Sequence, residues 1–371
     1  MLIGIDGRSL GPMKTGIGTY LHEMLSCPPF TSGETDLHLF SHRPLAAPVK
    51  NAKLHLSKSA YGLPWYLFRS FRNINGSNLD LFWGPQSLLP TCLSRKIPSV
   101  ITIHDCVHQA GLTYARSVTY NLLHRYFIPK AMQRSAKILA VSSFVADEIH
   151  RFHHLPPAKL EVIPLGVSSR FSLANIDATR ISRVLSSFRI EAPFILSVGT
   201  LEPRKNLRKL LEAFALLPSS LRRRLMLVLV GKEGWDRRTT RSPLKGLCKD
   251  LRVLLTGYVK EEDLPYIYAA AEVLVFPSFY EGFGLPVLEA MAAGCPVIAS
   301  NTSALKEIVG KAGITLDPTG PAEDWAQSIA SVLNSPDLRS QLKESGFTQA
   351  GKYKWEDCAT RTYQVFRAIA K

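Results

Sequence analysis

Two pairs of side chains and one histidine have the types and settings to do chemistry. Glu281 and Glu289 flank a glycine-bearing loop within VLVFPSFYEGFGLPVLEAMAAGCPVIAS, residues 273–300. An ionised carboxylate only accepts hydrogen bonds, so the pair suits a partner rich in hydroxyls, such as a sugar or a ribose. Arg204 and Lys205 follow the apolar run 193–199. A planar guanidinium fork beside a point-charge ammonium suits a pyrophosphate and would stabilise the charge of a departing diphosphate. His104 and Asp105 end the apolar run 99–103, where an imidazole could donate to a hydroxyl or a phosphate. Each group also has a plain alternative. Glu289 could be an ordinary acid near a helix start, Glu281 a solvated loop charge, the cations exposed loop charges, and His104 a partner of a neighbouring loop.

The elements around these residues decide between the readings. Val273–Phe276 has the length and branching of a strand covered on both faces. Pro277 and Ser278 stop it, and a loop leads to a helix expected from about Pro286, since proline fits a first helical turn. Gly294 ends that helix and 295–299 reads as the next strand. Strand, loop, helix, strand is the unit of a parallel α/β sheet. Ligands of such sheets lie beyond the carboxyl ends of the strands, against helix N-termini. Glycines 282 and 284 let main chain approach a ligand, and free helical amides suit an anion. An anion cradle flanked by hydroxyl acceptors fits a nucleotide sugar.

The same pattern runs through the chain. Strands are expected at 2–6, 37–40, 79–83, 99–103, 138–141, 161–167, 193–199, 226–230, 251–255 and 314–317. Helices are expected at 17–25, 117–134, 143–151 with Ser142-Ser143 as N-cap, 206–217, 261–271, 304–309 and 355–371. Gly7–Gly18 reads as a loop carrying Gly16 and Gly18, and 300–303 as another with reachable amides. Residues 41–78 show no clear order; Trp65, Tyr66, Phe68 and Phe71 make an aromatic stripe that reads as core, acceptor contact or membrane contact. Tyr258, at the end of a strand, either stacks on a ligand or packs.

The segment EGFGLPVLE resembles the E-x7-E motif of family 4 retaining glycosyltransferases. The resemblance is strong over 193–310 and looser over the first half. It implies the GT-B fold, two Rossmann-like α/β domains facing across a cleft with a C-terminal helix returning to the first. The expected domains are 1–170, a linker at 171–190, a nucleotide-sugar domain at 191–354 and the helix 355–371. By this resemblance Glu281 holds the transferred sugar, Glu289 the donor ribose, and Gly282, Phe283, Gly284 and Leu285 line the donor. Arg204 and Lys205 match the family's donor-phosphate motif, with one departure: Thr200 stands where many members have arginine, so Arg204 is expected to supply that charge. Gly16 and Gly18 are similar to the family's first strand–helix loop, His104 to a histidine near the transferred sugar that His108 would join, and Tyr258 borders the nucleobase. Retention is implied, with the donor phosphate as base. The run SVGTLEPRKN looks most like mannosyltransferases of bacterial surface polysaccharide synthesis, which suggests GDP-mannose; UDP- and ADP-sugars stay open.

Composition sets the remaining bounds. The 371 residues, 46% hydrophobic and 20% charged, suit two soluble domains that each bury a core. The first strand meets a charge at Asp6, unlike a signal peptide, and no apolar run is long enough to span a bilayer. The six cysteines (27, 92, 106, 248, 295 and 358) are scattered without ligand spacing, so reduced cytoplasmic thiols are expected, and no metal or cofactor. The net charge of +15 is concentrated in the first half and favours anions: a phosphorylated substrate, or an anionic membrane touched peripherally. No nucleic-acid motif is present. A glycan or lipid-linked glycan acceptor fits this picture. A sugar-nucleotide epimerase would not need the pair of glutamates or an acceptor, and a non-catalytic basic nucleotide- or nucleic-acid-binding protein would leave the two glutamates and two cations without a joint purpose.

Overall fold

The computed structural model describes residues 1–11, 16–107, 118–232 and 251–370, with the side chains of 118–123 left aside. The chain divides into two compact units, 1–166 with 354–371, and 167–353. Each is built on one parallel sheet.

In the first unit the strands are β1 (Leu2–Asp6), β2 (Asp36–Ser41), β3 (Ala52–Leu56), β4 (Leu81–Gly84), β5 (Ser99–Ile103), β6 (Lys137–Ala140) and β7 (Leu160–Val162). They lie in the order β3-β2-β1-β4-β5-β6-β7. β4 and β5 are buried along their whole length, as expected of strands covered on both faces. The order reverses between β1 and β4, so the crevice for a ligand opens at their carboxyl ends. Asp6, Gln86 and His104 stand at or just beyond the ends of β1, β4 and β5.

The stretch 41–78, without clear order in sequence, forms the edge strand β3 and the helices Gly62–Phe68 and Phe71–Asn75. Its aromatic stripe divides. Trp65 and Tyr66 are buried, and Tyr66 donates to the Leu88 carbonyl at 2.9 Å. Phe68 stays exposed. The helix Ser143–His153 is capped as expected, with the Ser142 hydroxyl accepting from the Val145 amide at 3.1 Å. The terminal helix Trp355–Ile369 belongs to this unit, where Phe366 meets Trp83 at 5.2 Å between ring centroids and Trp355 meets Tyr20 at 6.0 Å.

In the second unit β8 (Phe194–Val198), β9 (Met226–Val230), β10 (Val253–Gly257), β11 (Val273–Phe276), β12 (Val297–Ser300) and β13 (Ile314–Leu316) lie in the order β10-β9-β8-β11-β12-β13. The reversal falls between β8 and β11, so residues following these two strands meet at one crevice. One core face is filled by Phe214, Leu229, Val275, Ile298 and Trp325. Residues 171–190, expected as a linker, group with this unit. They contain the helix Ala178–Ser187, whose Arg180 pairs with Asp263 at 2.9 Å and lies over the Tyr266 ring at 4.8 Å.

Gly166, the last residue of the first unit's main segment, lies against the start of the terminal helix. A Cβ there would come within 2.2 Å of the Trp355 amide nitrogen and 2.6 Å of the Lys354 carbonyl carbon. Backbone cannot yield as a flexible side-chain tip can. Gly166→Ala should therefore destabilise the first unit by about 1–3 kcal/mol, read as a lower Tm in thermal denaturation. An unchanged Tm would show that this close approach is not required.

Candidate functional site

The crevice between β8 and β11 assembles four charged side chains. After β8 the chain passes Gly199 and Thr200, then makes a short 3-10 turn over Pro203–Lys205. The turn is pinned on two sides: the Phe279 amide donates to the Arg204 carbonyl at 2.8 Å, and the Asn206 side chain donates to the Pro318 carbonyl at 3.0 Å. After β11 the loop places Glu281 against this turn, where its own amide donates to the Ser303 hydroxyl at 3.0 Å. Arg204 and Lys205 both reach the Glu281 carboxylate. Lys205 Nζ donates to Oε1 at 2.6 Å and Arg204 Nη1 to Oε2 at 2.8 Å. Arg204 Nη1 also donates to the Tyr280 carbonyl at 3.0 Å, while its Nε donates to Glu202 Oε1 at 2.6 Å.

Burial sets the electrostatics. The Glu281 and Lys205 side chains are each 10% exposed, so neither charge is screened well by water. Burial alone would push the Glu281 carboxyl up, but the Arg204 and Lys205 cations and their hydrogen bonds outweigh it and hold it at about 2. For Lys205, burial and the adjacent Arg204 cation bring the pKa below the usual lysine range despite Glu281. Glu281 is therefore no solvated loop charge. A carboxylate shared by two donors is a preorganised unit.

Glycines make room for it. Gly199 has φ +147°, and a Cβ there would sit 3.1 Å from Lys205 Cε; at Gly231, φ +146°, a Cβ would come within 2.0 Å of the Gly199 carbonyl oxygen. Lys205 lies 4.7 Å from the Phe276 ring centroid and lines a small cavity with Ser197, Gly199 and Ser278. The Ser278 hydroxyl is fully buried there and has no hydrogen-bond partner among the described residues.

Glu289 sits in the helix Leu285–Ala292, which starts one residue before the expected proline. Its carboxylate accepts from the Tyr268 hydroxyl at 2.9 Å, so it is anchored from the neighbouring helix Leu264–Ala270. Gly284 caps this helix with φ +118°, a conformation that favours glycine. Gly282 and Phe283 are buried, and Phe283 packs edge-on to Tyr353 at 5.9 Å, while Leu285 is half-buried. Thr200 is half-buried beside Arg204's turn. Tyr258 follows β10 and is 44% exposed.

In the first unit His104 is held in place. Its Nε2 lies 2.9 Å from the Pro85 carbonyl oxygen, and its ring meets Tyr20 edge-on at 4.9 Å. A carbonyl only accepts, so Nε2 carries the proton, and burial lowers the imidazole's pKa more than Pro85 and Asp105 raise it. A neutral ring with Nε2 committed presents Nδ1 as an acceptor. This bond to the loop after β4 is the one the plain reading of His104, a partner of a neighbouring loop, calls for. His108 lies outside the described residues. Gly16 and Gly18, read as loop, form the first turn of the helix Gly16–Leu25 instead; glycine's cost is small in a first turn, where amides lack helical partners in any case.

Three partners were not read from sequence. Glu202 and Tyr268 orient Arg204 and Glu289. In the first unit Asp6, fully buried at the end of β1, takes a two-pronged pair from Arg8 (2.8 Å at both contacts) and a bond from Gln86 at 3.2 Å. The charge closing a buried strand was the available signal for Asp6, and the acid two residues before Arg204 for Glu202.

Comparison with known proteins agrees with this geometry. Residues 182–349 match the family described as glycosyl transferases group 1, and residues 29–171 match Glycosyltransferase Family 4. The O-antigen chain mannosyltransferase B of Escherichia coli is 34% identical over 290 residues, 78% of this chain and 74% of that protein. The serotype-specific mannosyltransferase WbdA of E. coli is 30% identical over 230 residues, but these cover only 28% of its length. Among solved structures, WaaG, a glycosyltransferase involved in lipopolysaccharide biosynthesis, superposes with a TM-score of 0.78 at 16% identity, covering 99% of both chains. Anabaena HepE in complex with UDP and glucose gives 0.75 at 16%. These likenesses establish the fold: two Rossmann-like parallel-sheet domains of the GT-B type.

The pair of bonds on Glu281 predicts acid behaviour. Its carboxyl falls from an ordinary 4.5 to about 2, so the ionised form stabilises the folded state fully above about pH 4.5. That contribution is lost as the pH falls through about 2. Glu281→Gln should remove this part of the stability loss between pH 4.5 and 2, measured as Tm against pH. Parallel curves for both proteins would contradict the pairing.

Proposed function

The chain belongs to the family 4 glycosyltransferases, and from that premise we propose that it transfers mannose from GDP-mannose to a glycan or lipid-linked glycan, with retention of configuration. It is a glycosyltransferase; donor, acceptor and residue roles are the proposal. The observation carrying it is the Arg204–Glu281–Lys205 cluster at the carboxyl ends of β8 and β11, where a parallel sheet receives its ligand. The mannosyl assignment is supported by the name of the 34% identical relative and by the run SVGTLEPRKN. HepE, whose structure holds UDP and glucose, keeps a UDP-sugar as the second reading.

In this account the donor diphosphate takes Arg204 and Lys205 as its counter-charges. Glu281 then turns its acceptor oxygens to sugar hydroxyls. Glu289, steadied by Tyr268, accepts from the ribose, with Gly282, Phe283, Gly284, Leu285 and Thr200 as donor contacts and Tyr258 beside the base. Within the first unit, Gly16 and Gly18 are read as ligand contacts and His104 as a hydroxyl acceptor through Nδ1. The bond from the anomeric carbon to the donor phosphate breaks and one to the acceptor oxygen forms. The acceptor's proton passes to the phosphate, and the nucleoside diphosphate leaves with its charge held by the two cations.

Contact with an anionic membrane at the cytoplasmic face is part of the same reading. From residue 37 to residue 146 the only acids are Asp80 and Asp105, among many lysines and arginines. Within this stretch Phe68 and Tyr126 are 52% and 57% exposed, and both rings lean on Phe127, at 5.8 and 5.0 Å. Lys130 lies over the Tyr126 ring at 3.9 Å. Exposed aromatics, one of them with a lysine over its ring, in a stretch poor in acids suit an interface of anionic headgroups. No helix among the described residues is long and apolar enough to cross a membrane.

Two measurements test the reading. GDP-mannose, UDP-glucose, UDP-N-acetylglucosamine and ADP-glucose are compared by thermal shift and by nucleotide release, in wild type and in Glu281→Ala. Stabilisation by GDP-mannose, with release lost in the variant, is expected; no binding by any donor, or a variant turning over like wild type, would overturn the site. In vesicle flotation the wild type should bind phosphatidylglycerol-rich membranes, and Phe68→Ser with Tyr126→Ser should weaken that binding several-fold without changing Tm. Equal flotation on zwitterionic vesicles would remove the charge argument.

A further inference from the structure

Of the four charged groups at the β8–β11 crevice, Arg204 is the one an incoming anion reaches first. Its side chain is 25% exposed, against 12% for Glu202 and 10% for Lys205 and Glu281. Its orientation therefore matters more than that of its neighbours. An arginine side chain has several rotatable bonds, and its value as a fork depends on their being fixed. One edge of the guanidinium is fixed through Nη1 by the Tyr280 carbonyl and Glu281. But the proposed chemistry requires Glu281 to let go and turn to the sugar. Once it does, Glu202, at 2.6 Å on Nε, is a charged partner among the described residues that still holds Arg204.

We propose that Glu202 is a positioning residue that holds the Arg204 guanidinium in place for the donor diphosphate while Glu281 changes partners. The inference rests on the donor-site reading above and adds to it a residue with no role there. Three features of the local chain carry it. Glu202 is extended (φ −136°, ψ 155°) and is followed by Pro203, so its backbone has little freedom. The turn it precedes is pinned through the Arg204 carbonyl and the Asn206 side chain, so acid and guanidinium are mounted on one rigid corner. And Arg204 and Lys205 converge on a single carboxylate, which leaves two cations facing one anion; Glu202 supplies the second negative charge and brings the cluster to formal neutrality. Two buried like charges without that balance would repel. The departure at Thr200 gives this arrangement a purpose. Where many relatives are expected to place an arginine after the strand glycine, this chain has one four residues later and an acid to aim it.

The test is a binding cycle that needs no acceptor. Dissociation constants for GDP and UDP are measured by calorimetry on wild type, Glu202→Ala, Glu202→Gln, Arg204→Ala and the double alanine variant, with Tm recorded for each. Glu202→Ala should weaken the nucleoside diphosphate on the order of tenfold. Glu202→Gln should recover part of that loss, because the amide oxygen still accepts from Nε although the balancing charge is gone. Added to Arg204→Ala, Glu202→Ala should cost nothing further, since its effect passes through that one side chain. If Glu202→Ala does not fold, Glu202→Met, of similar length and without an oxygen acceptor, takes its place. Wild-type affinity in Glu202→Ala, additive losses in the double variant, or a glutamine variant as weak as alanine would each overturn the inference while leaving the donor site standing. Unchanged affinity in Arg204→Ala would instead overturn the donor site itself, and this inference with it.

Discussion

The structure depends on one arrangement of charge: a buried carboxylate, Glu281, that accepts from two cations brought from another strand's end. Arg204 and Glu281 are 77 residues apart in the chain, and meet because β8 and β11 are neighbours at the point where the strand order reverses. Burying any of these charges alone would be costly. Together, and with Glu202, they form a cluster whose formal charges cancel. The surrounding glycines, the pinned turn and the Ser303 hydroxyl under the Glu281 amide are the means of holding it. Within the fold itself, Glu281 gives both cations a negative partner.

The first unit follows the same plan with different contents. Its strand order also reverses, between β1 and β4, and there too a buried acid, Asp6, meets an arginine, Arg8, which lies 3.8 Å from the Tyr66 ring centroid. His104 closes the row one strand further on. The Pro85 carbonyl selects its tautomer, and burial keeps it neutral. A neutral imidazole suits hydrogen bonding better than charge neutralisation.

Much of this was legible in the sequence, for identifiable reasons. Short apolar runs marked the buried parallel strands, and polar residues in the loops after them marked Arg204, Lys205, Glu281 and His104. What a run cannot display is the pairing across it. That Glu281 would sit on Lys205 and Arg204 depends on strand order, which no local pattern carries. Tyr268 under Glu289 is likewise a contact between two helices. The stretch 41–78 was opaque because its edge strand β3 is half exposed and lacks the apolar run of its neighbours. The partner of His104 was open in the sequence, because it is a backbone carbonyl with no side-chain signature.

The most direct measurement is a crystal structure with GDP bound. The account predicts the β-phosphate within hydrogen-bonding distance of both Arg204 and Lys205, with Glu281 released from at least one of them and Glu202 still on Arg204 Nε. A nucleotide bound elsewhere, or a diphosphate lying apart from an unchanged Glu281–Arg204–Lys205 cluster, would contradict it.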